Sequence, residues 1–197
     1  MSALGSTATG EHAVSEAASH QHELIKLTDR PDDADARGCD GRTGGRDGRT
    51  GGRDVRVRVI GRHAPGSLRG HDWLDCEITV TADTVRGRFT TVVTDRHLRR
   101  WETALDRLRQ GFAVRWLNEE HGPELRIEPG RPGGLWVTVS DTEDSGVTLR
   151  VALSPAPGWL DEQHALLELV RNAYPTEVIE AAPGVHAEWR GTPAVES

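Results

Sequence analysis

The densest grouping of side chains able to do chemistry is His71-Asp72-x-x-Asp75-Cys76, an imidazole, two carboxylates and a thiol close together in the chain. Such a set could ligate a metal ion or supply a base and a nucleophile. Either role needs the groups to converge. The alternation of the strand that follows instead sends Cys76 inward while Glu77 points out, so the thiol reads as buried and inert and the segment as a turn entering a strand. His63, His121, His164 and His186 are scattered, with no pair at i, i+4 around a Glu as in a zinc protease. No G-x-S-x-G elbow occurs, and Gly44-Gly45 and Gly51-Gly52 lack the Lys-Ser/Thr that completes a phosphate-cradling loop. Glu119-Glu120 and Asp141/Glu143/Asp144 bring carboxylates together, but in turn regions where solvation explains them. The expectation is no catalytic residue, no metal and no cofactor.

The aromatic inventory is more informative. Six Trp outnumber one Tyr and two Phe. Trp101 lies on an apolar helix stripe and belongs to a core. Trp116 and Trp136 fall out of phase with Leu117 and with Leu135, Val137 and Val139. If those aliphatic residues face inward, both indoles lie on the outer face of the sheet, either under a helix or as exposed anchors for a partner. Charge is uneven too. Residues 119–144 carry Glu119, Glu120, Glu124, Glu128, Asp141, Glu143 and Asp144 against Arg126 and Arg131. Glu119, Glu120, Asp141, Glu143, Asp144, Trp116 and Trp136 therefore form the expected partner surface, an acidic rim suited to a basic protein.

These residues need elements to position them. Leu24, Ile25 and Leu27 make a short strand-like run ending at Asp29, and Val55-Arg56-Val57-Arg58-Val59-Ile60 alternates with period two, as a strand with one buried face does. Cys76–Thr81 and Val85–Val93 alternate likewise around an Ala82-Asp83-Thr84 turn. Thr94 or Asp95 can cap a helix in which Leu98, Trp101, Leu105 and Leu108 share one face, with Gly111 as its left-handed stop. Ala113–Leu117, Glu124–Glu128, Leu135–Val139 and Val147–Leu153 read as strands, the last two as a hairpin. A second amphipathic helix, about 159–174, presents Leu166, Leu167, Val170, Ala173 and Tyr174 and ends at Pro175. The fold class is α+β: a mostly antiparallel sheet, sandwich-like or curled, with two main helices at about 95–110 and 159–174.

The chain has 197 residues, 36% hydrophobic and 28% charged, with a formal net charge of -7. An acidic balance argues against nucleic-acid contact, and no apolar run approaches the roughly 20 residues that span a bilayer. Residues 1–21 hold almost no large apolar side chain and read as a disordered tail, as do 191–197. Residues 30–54 contain the duplication Gly41-Arg42-Thr43-Gly44-Gly45-Arg46-Asp47 and Gly48-Arg49-Thr50-Gly51-Gly52-Arg53-Asp54, too short and polar for a stacked repeat. The tract reads as a disordered insertion inflating the turn of a hairpin between 22–29 and 55–60. That leaves one domain over 22–190, because loop closure grows only logarithmically with length.

Glu23-Leu24-Ile25-Lys26-Leu27-Thr28-Asp29, Val57-Arg58-Val59-Ile60-Gly61-Arg62, His71-Asp72-Trp73-Leu74-Asp75-Cys76-Glu77-Ile78, the Trp101/Leu105 helix and Gly122-Pro123-Glu124-Leu125-Arg126-Ile127-Glu128 together resemble a family of small uncharacterised proteins common in actinomycetes. More distantly, the layout is similar to immunity proteins of cell-wall-associated polymorphic toxin systems. Together with the acidic turns, the Trp residues and the absence of catalytic spacing, this likeness gives the expectation of a cytoplasmic domain that occludes a protein partner, and neither family supplies a catalytic residue. The expected function is thus non-enzymatic protein binding, with immunity-like neutralisation of a partner protein as its most specific form. The alternatives are a small hydrolase or ligand-binding enzyme with a site near His71–Cys76, and a structural accessory domain. Nothing in the residues speaks to oligomeric state.

Overall fold

The alternation of Val and Arg around Val57 makes an inner strand of an antiparallel sheet in the computed structural model of the chain, which describes residues 22–30, 52–118, 122–130, 133–182 and 185–190. β1 (His22–Thr28), β2 (Asp54–Arg62), β3 (Leu74–Ala82) and β4 (Val85–Val93) form one four-stranded sheet in sequence order. Helix α1 (Asp95–Arg109) follows. β5 (Val114–Trp116), β6 (Glu124–Pro129), β7 (Leu135–Asp141) and β8 (Val147–Leu153) form a second four-stranded sheet, then comes α2 (Trp159–Ala173), and β9 (Val178–Ala182) pairs with β10 (Val185–Trp189). The architecture is α+β.

β1 and β2 pair antiparallel, with Lys26 opposite Arg56 and Leu27 opposite Val55. The two flanks of the Arg/Gly tract are therefore neighbours. The folded part intrudes on the expected insertion at both ends: the Asp29 N–H donates to Arg53 O at 3.1 Å, the Arg30 N–H to Ser154 O at 2.9 Å, and β2 starts at Asp54. Residues 31–51, with 1–21 and 191–197, lie outside the described residues.

Val55, Val57 and Val59 are fully buried, each stabilising by about 1.5–3 kcal/mol. They share one core with Leu125, Ile127, Val137 and Val139 of the second sheet, so the two inner faces oppose each other. β8 lies across the end of the first sheet. Leu149 sits where a Cβ on Gly87 of β4 would be, while Ser154 is bonded to Asp29 and Arg30 just past β1. Five strand residues cover about 16 Å, and the step from β4 to β1 is about 14 Å. The strand directions of the two sheets are steeply crossed.

Each half of the chain repeats one order, four strands then a helix, and each helix packs on the first strand of the other half: α1 on β5, α2 on β1. Arg171 of α2 donates to Glu102 of α1 at 2.7 Å, which holds the Glu102 carboxyl below its usual range. Thr94 is the N-cap of α1, its N–H donating to His97 Nδ1 at 3.0 Å, with His in the place Glu holds in a capping box. The helix ends as Gly111 suggests: at φ 83° its N–H donates to Leu108 O (2.9 Å) and the Phe112 N–H to Arg107 O (3.0 Å), the bond pair of a Schellman stop. The inward side of α2 differs from expectation. Gln163, Leu167 and Val170 are buried, Leu166 is half-buried and Ala173 is exposed.

Candidate functional site

The residues around His71 come together in one hydrogen-bonded network. His71 Nδ1 accepts the Gly66 N–H at 2.9 Å, so the proton sits on Nε2, 2.9 Å from Glu177 Oε2. Arg62 donates to Asp72 Oδ1, Glu177 Oε1 and Pro175 O, each at 2.9 Å. Asp72 Oδ2 also accepts the Val178 N–H at 2.8 Å, and the Trp189 ring stands edge-on to His71 with centroids 4.6 Å apart. Arg62, His71 and Asp72, themselves linked across the β2–β3 connection, tie the start of the β9–β10 hairpin to it through Glu177 and Val178. Arg62 and Glu177 escaped notice in the sequence because they lie 115 residues apart.

Asp75 does not join them. On the outer face of the first sheet it lies 2.8 Å from His63 Nδ1, and the His63 ring stacks on Trp73 at 6.0 Å. This is an exposed Asp–His pair. Cys76, the neighbouring residue, points the other way into the core, and burial pushes its thiol up to about 12. Among the described residues no group of three or more His, Cys, Asp or Glu is placed to hold a metal ion. Grooves lie elsewhere, one of about 480 Å³ between His22, Glu23 and Arg58 on one side and Leu166 and Leu169 on the other.

The Cys76 shift has a measurable sign. A raised folded value means that the native state keeps a proton the unfolded chain releases above its ordinary thiol pKa near 9. Stability should therefore fall as pH rises from about 9 toward 12, by up to about 1.4 kcal/mol per pH unit. Cys76→Ala should flatten that part of the curve in urea titrations at several alkaline pH values. An equal slope in both proteins would rule the thiol out as its source.

The expected partner surface divides. Trp116 is a correction: it is 1% exposed, tilted against Trp101 with centroids 5.4 Å apart, and its Nε1–H donates to His97 O at 2.8 Å. Leu117 has φ 59°, so the strand ends at Trp116 and both side chains turn inward, where simple alternation would put them on opposite faces. Asp141 is a second correction. It is the buried last residue of β7, in phase with Leu135, Val137 and Val139, and it holds the following turn: the Ser145 hydroxyl donates to Asp141 O at 3.2 Å. Glu143 and Asp144 are exposed in that turn. Glu119 and Glu120 lie outside the described residues.

Trp136 sits on the outer face of the second sheet and is 42% exposed. The Arg150 guanidinium lies over its ring at 4.5 Å and reaches Glu128 at 3.4 Å, which also pairs with Arg126 at 2.7 Å. Both helices pack on the opposite side, through the common core. Among the described residues the indole is thus the apolar centre of a face that neither helix covers, edged by ion pairs.

Residues 47–175 match a family model described as DUF5959, family of unknown function. The match runs from before β2 to the end of α2, leaving β1 and the β9–β10 hairpin outside it. No curated protein and no solved structure matches the chain. Among the described residues, no helix is long and apolar enough to cross a membrane.

Proposed function

The chain belongs to the DUF5959 family, whose function is unknown, and from that premise we propose that it is a non-enzymatic binding domain that acts by covering a protein partner. The observation that carries the reading is Trp136, two-fifths exposed on a sheet face that neither helix covers. A lone exposed aliphatic residue means little, but a stacked, rigidly held indole among charge pairs has the make-up of an interface anchor. Glu143 and Asp144 lie on the same hairpin, about 20 Å along the strand from Trp136. One interface of ordinary size spans both, and its acidic end favours a partner with basic side chains. An immunity-like role, neutralising a basic toxin inside the cytoplasm, is the most specific form of this proposal.

The test starts from the partner that co-purifies with the chain in its native host, identified and then titrated as a pure protein. Trp136→Ala should weaken binding about thirtyfold or more, as loss of an anchor does. Glu143→Lys with Asp144→Lys should slow association and reduce its salt dependence. An affinity that ignores Trp136→Ala would sink the proposal. A hydrolase reading draws on the exposed His63–Asp75 pair; turnover of a model ester that vanishes in His63→Gln would favour it instead.

A further inference from the structure

Each of the two four-stranded sheets has two edges; helices cover two of the four, and a third is pinned at one end. Along β1, the Lys26 N–H donates to Gln163 Oε1 at 3.0 Å and the Gln163 Nε2–H donates to Lys26 O at 2.8 Å, so α2 occupies that edge. β5 is three residues long and lies under α1. β8 is held at its end, where Arg53 Nη1 donates to Ala152 O and Ser154 is bonded to Asp29 and Arg30. β4 has none of these devices. It is nine residues long, without proline, and pairs with β3 without a bulge. Such an edge is a template for another strand.

The register shows what that edge offers. Because Gln163 takes both main-chain groups of Lys26, those groups face away from β2. Direction alternates from strand to strand along a row and from residue to residue along a strand. In the row Lys26–Arg56–Thr79–Arg88 the main-chain groups of Arg88 therefore face away from β3, as do those of Arg86, Thr90 and Val92. On the inner face, Gly87 and Thr91 stay half-buried while Val80 and Cys76 beside them are buried. Leu149 of β8 packs over Gly87 on that side, and the strand stays partly exposed there.

We propose that β4 is a dimerisation edge, on which a second copy of this chain pairs antiparallel about Phe89 to make one continuous sheet from two four-stranded ones. In that register Arg86 lies opposite Val92 of the second copy and Arg88 opposite Thr90, with Phe89 meeting Phe89 at the two-fold axis. All four outward-facing residues are then matched, giving about eight main-chain hydrogen bonds. A pairing centred on Arg88 would set guanidinium against guanidinium, which destabilises a sheet. Centred on Phe89, charge is complementary. Thr90 is in register with Glu77, and Val92 with Asp75. The incoming Arg88 extends the row that holds Glu77, and the incoming Arg86 extends the row that holds Asp75, each two strands or about 10 Å from its carboxylate. Glu77 is already 3.2 Å from Arg88 of its own chain and gains a second guanidinium.

The test is sedimentation velocity of the full chain up to its solubility limit, expected to reveal a dimer. Thr90→Pro removes an outward N–H and no bond within its own sheet, so it should fold and weaken association about a hundredfold. Arg86→Glu with Arg88→Glu should also weaken it, without asking anything of the backbone. The register is read by mixing Arg88→Cys and Thr90→Cys chains in a Cys39→Ser background, where the mixture should cross-link and neither variant alone should. A wild-type monomer overturns the proposal. So does a dimer that persists unchanged in both charge and proline variants, or one whose mixed cysteines fail to cross-link.

Discussion

Trp101→Ala is expected to lower stability by about 3–5 kcal/mol, the range for emptying a fully enclosed aromatic site. The indole is completely buried and packs against Trp116, joining α1 to the first strand of the second sheet. Its removal opens a cavity where the two halves of the chain meet, so neither half can collapse into it alone. Against a usual total of 5–15 kcal/mol, the variant should sit near the edge of folding, with a midpoint of thermal unfolding lower by about 10 °C or more. Conservative changes separate packing from hydrogen bonding. Among the described residues the Trp101 Nε1–H has no partner, whereas the Trp116 Nε1–H donates to His97 O. Trp101→Phe thus discards a buried donor that gains nothing, and Trp116→Phe leaves a buried carbonyl unmatched. Urea unfolding followed by far-UV circular dichroism should rank Trp116→Phe as the more damaging. The reverse order would mean that ring volume, rather than the bond to His97, decides at this junction.

The same junction marks where pattern reading stops working. β3, β7 and β2 as far as Val59 are legible because each alternates regularly there, so apolar parity reports directly which face is buried. At Trp116 the chain leaves that geometry: one residue at φ 59° turns Leu117 to the side Trp116 already occupies. Parity did mark Asp141, which follows Val137 and Val139 at the same spacing, but its charge outweighed its position in the reading. The β9–β10 hairpin was missed although Pro183-Gly184 between two runs containing Val is a turn signal. Its strands carry little alternation because they are held by Arg62, Asp72 and His71, more than a hundred residues away. The candidate surface was legible in part for the same reason. Trp136 follows from parity within one strand, whereas the Arg150 stacked on it belongs to the neighbouring strand and needs the register of β7 against β8.

The repeated four strands and a helix explain why the two sheets leave different edges open. Each helix returns to cover the first strand of the opposite half, which protects β1 and β5. The last strands, β4 and β8, receive no helix. β8 is accommodated by crossing the end of the first sheet, so its edge meets Arg53, Asp29 and Arg30. Among the described residues β4 meets Leu149 of β8 at Gly87, a side-chain contact on its inner face rather than a bond to its edge groups. The asymmetry follows from one sheet lying across the end of the other rather than from any local feature of β4.

Gln163→Leu should cost about 2–5 kcal/mol, because it strands two groups at once. Gln163 is fully buried, and its amide serves the N–H and C=O of Lys26 as a neighbouring strand would. Leucine keeps the volume but offers neither donor nor acceptor, and each buried group left unmatched costs about 1–3 kcal/mol. Gln163→Glu separates the two bonds by pH. Its carboxylate can still accept the Lys26 N–H but opposes the Lys26 carbonyl, while the protonated acid restores a donor. Burial and the facing carbonyl both favour the neutral form, so the folded state should bind the proton more tightly than the unfolded chain. Stability of this variant should accordingly be nearest to wild type below about pH 4, and fall as pH rises through the raised folded value. Parallel urea titrations of the three proteins at acid and neutral pH measure this directly. If Gln163→Glu tracks wild type at every pH, the amide donor to Lys26 O contributes nothing, and α2 is held on β1 by the Lys26 N–H bond, the Lys26–Glu162 ion pair and the packing of Leu167 and Val170.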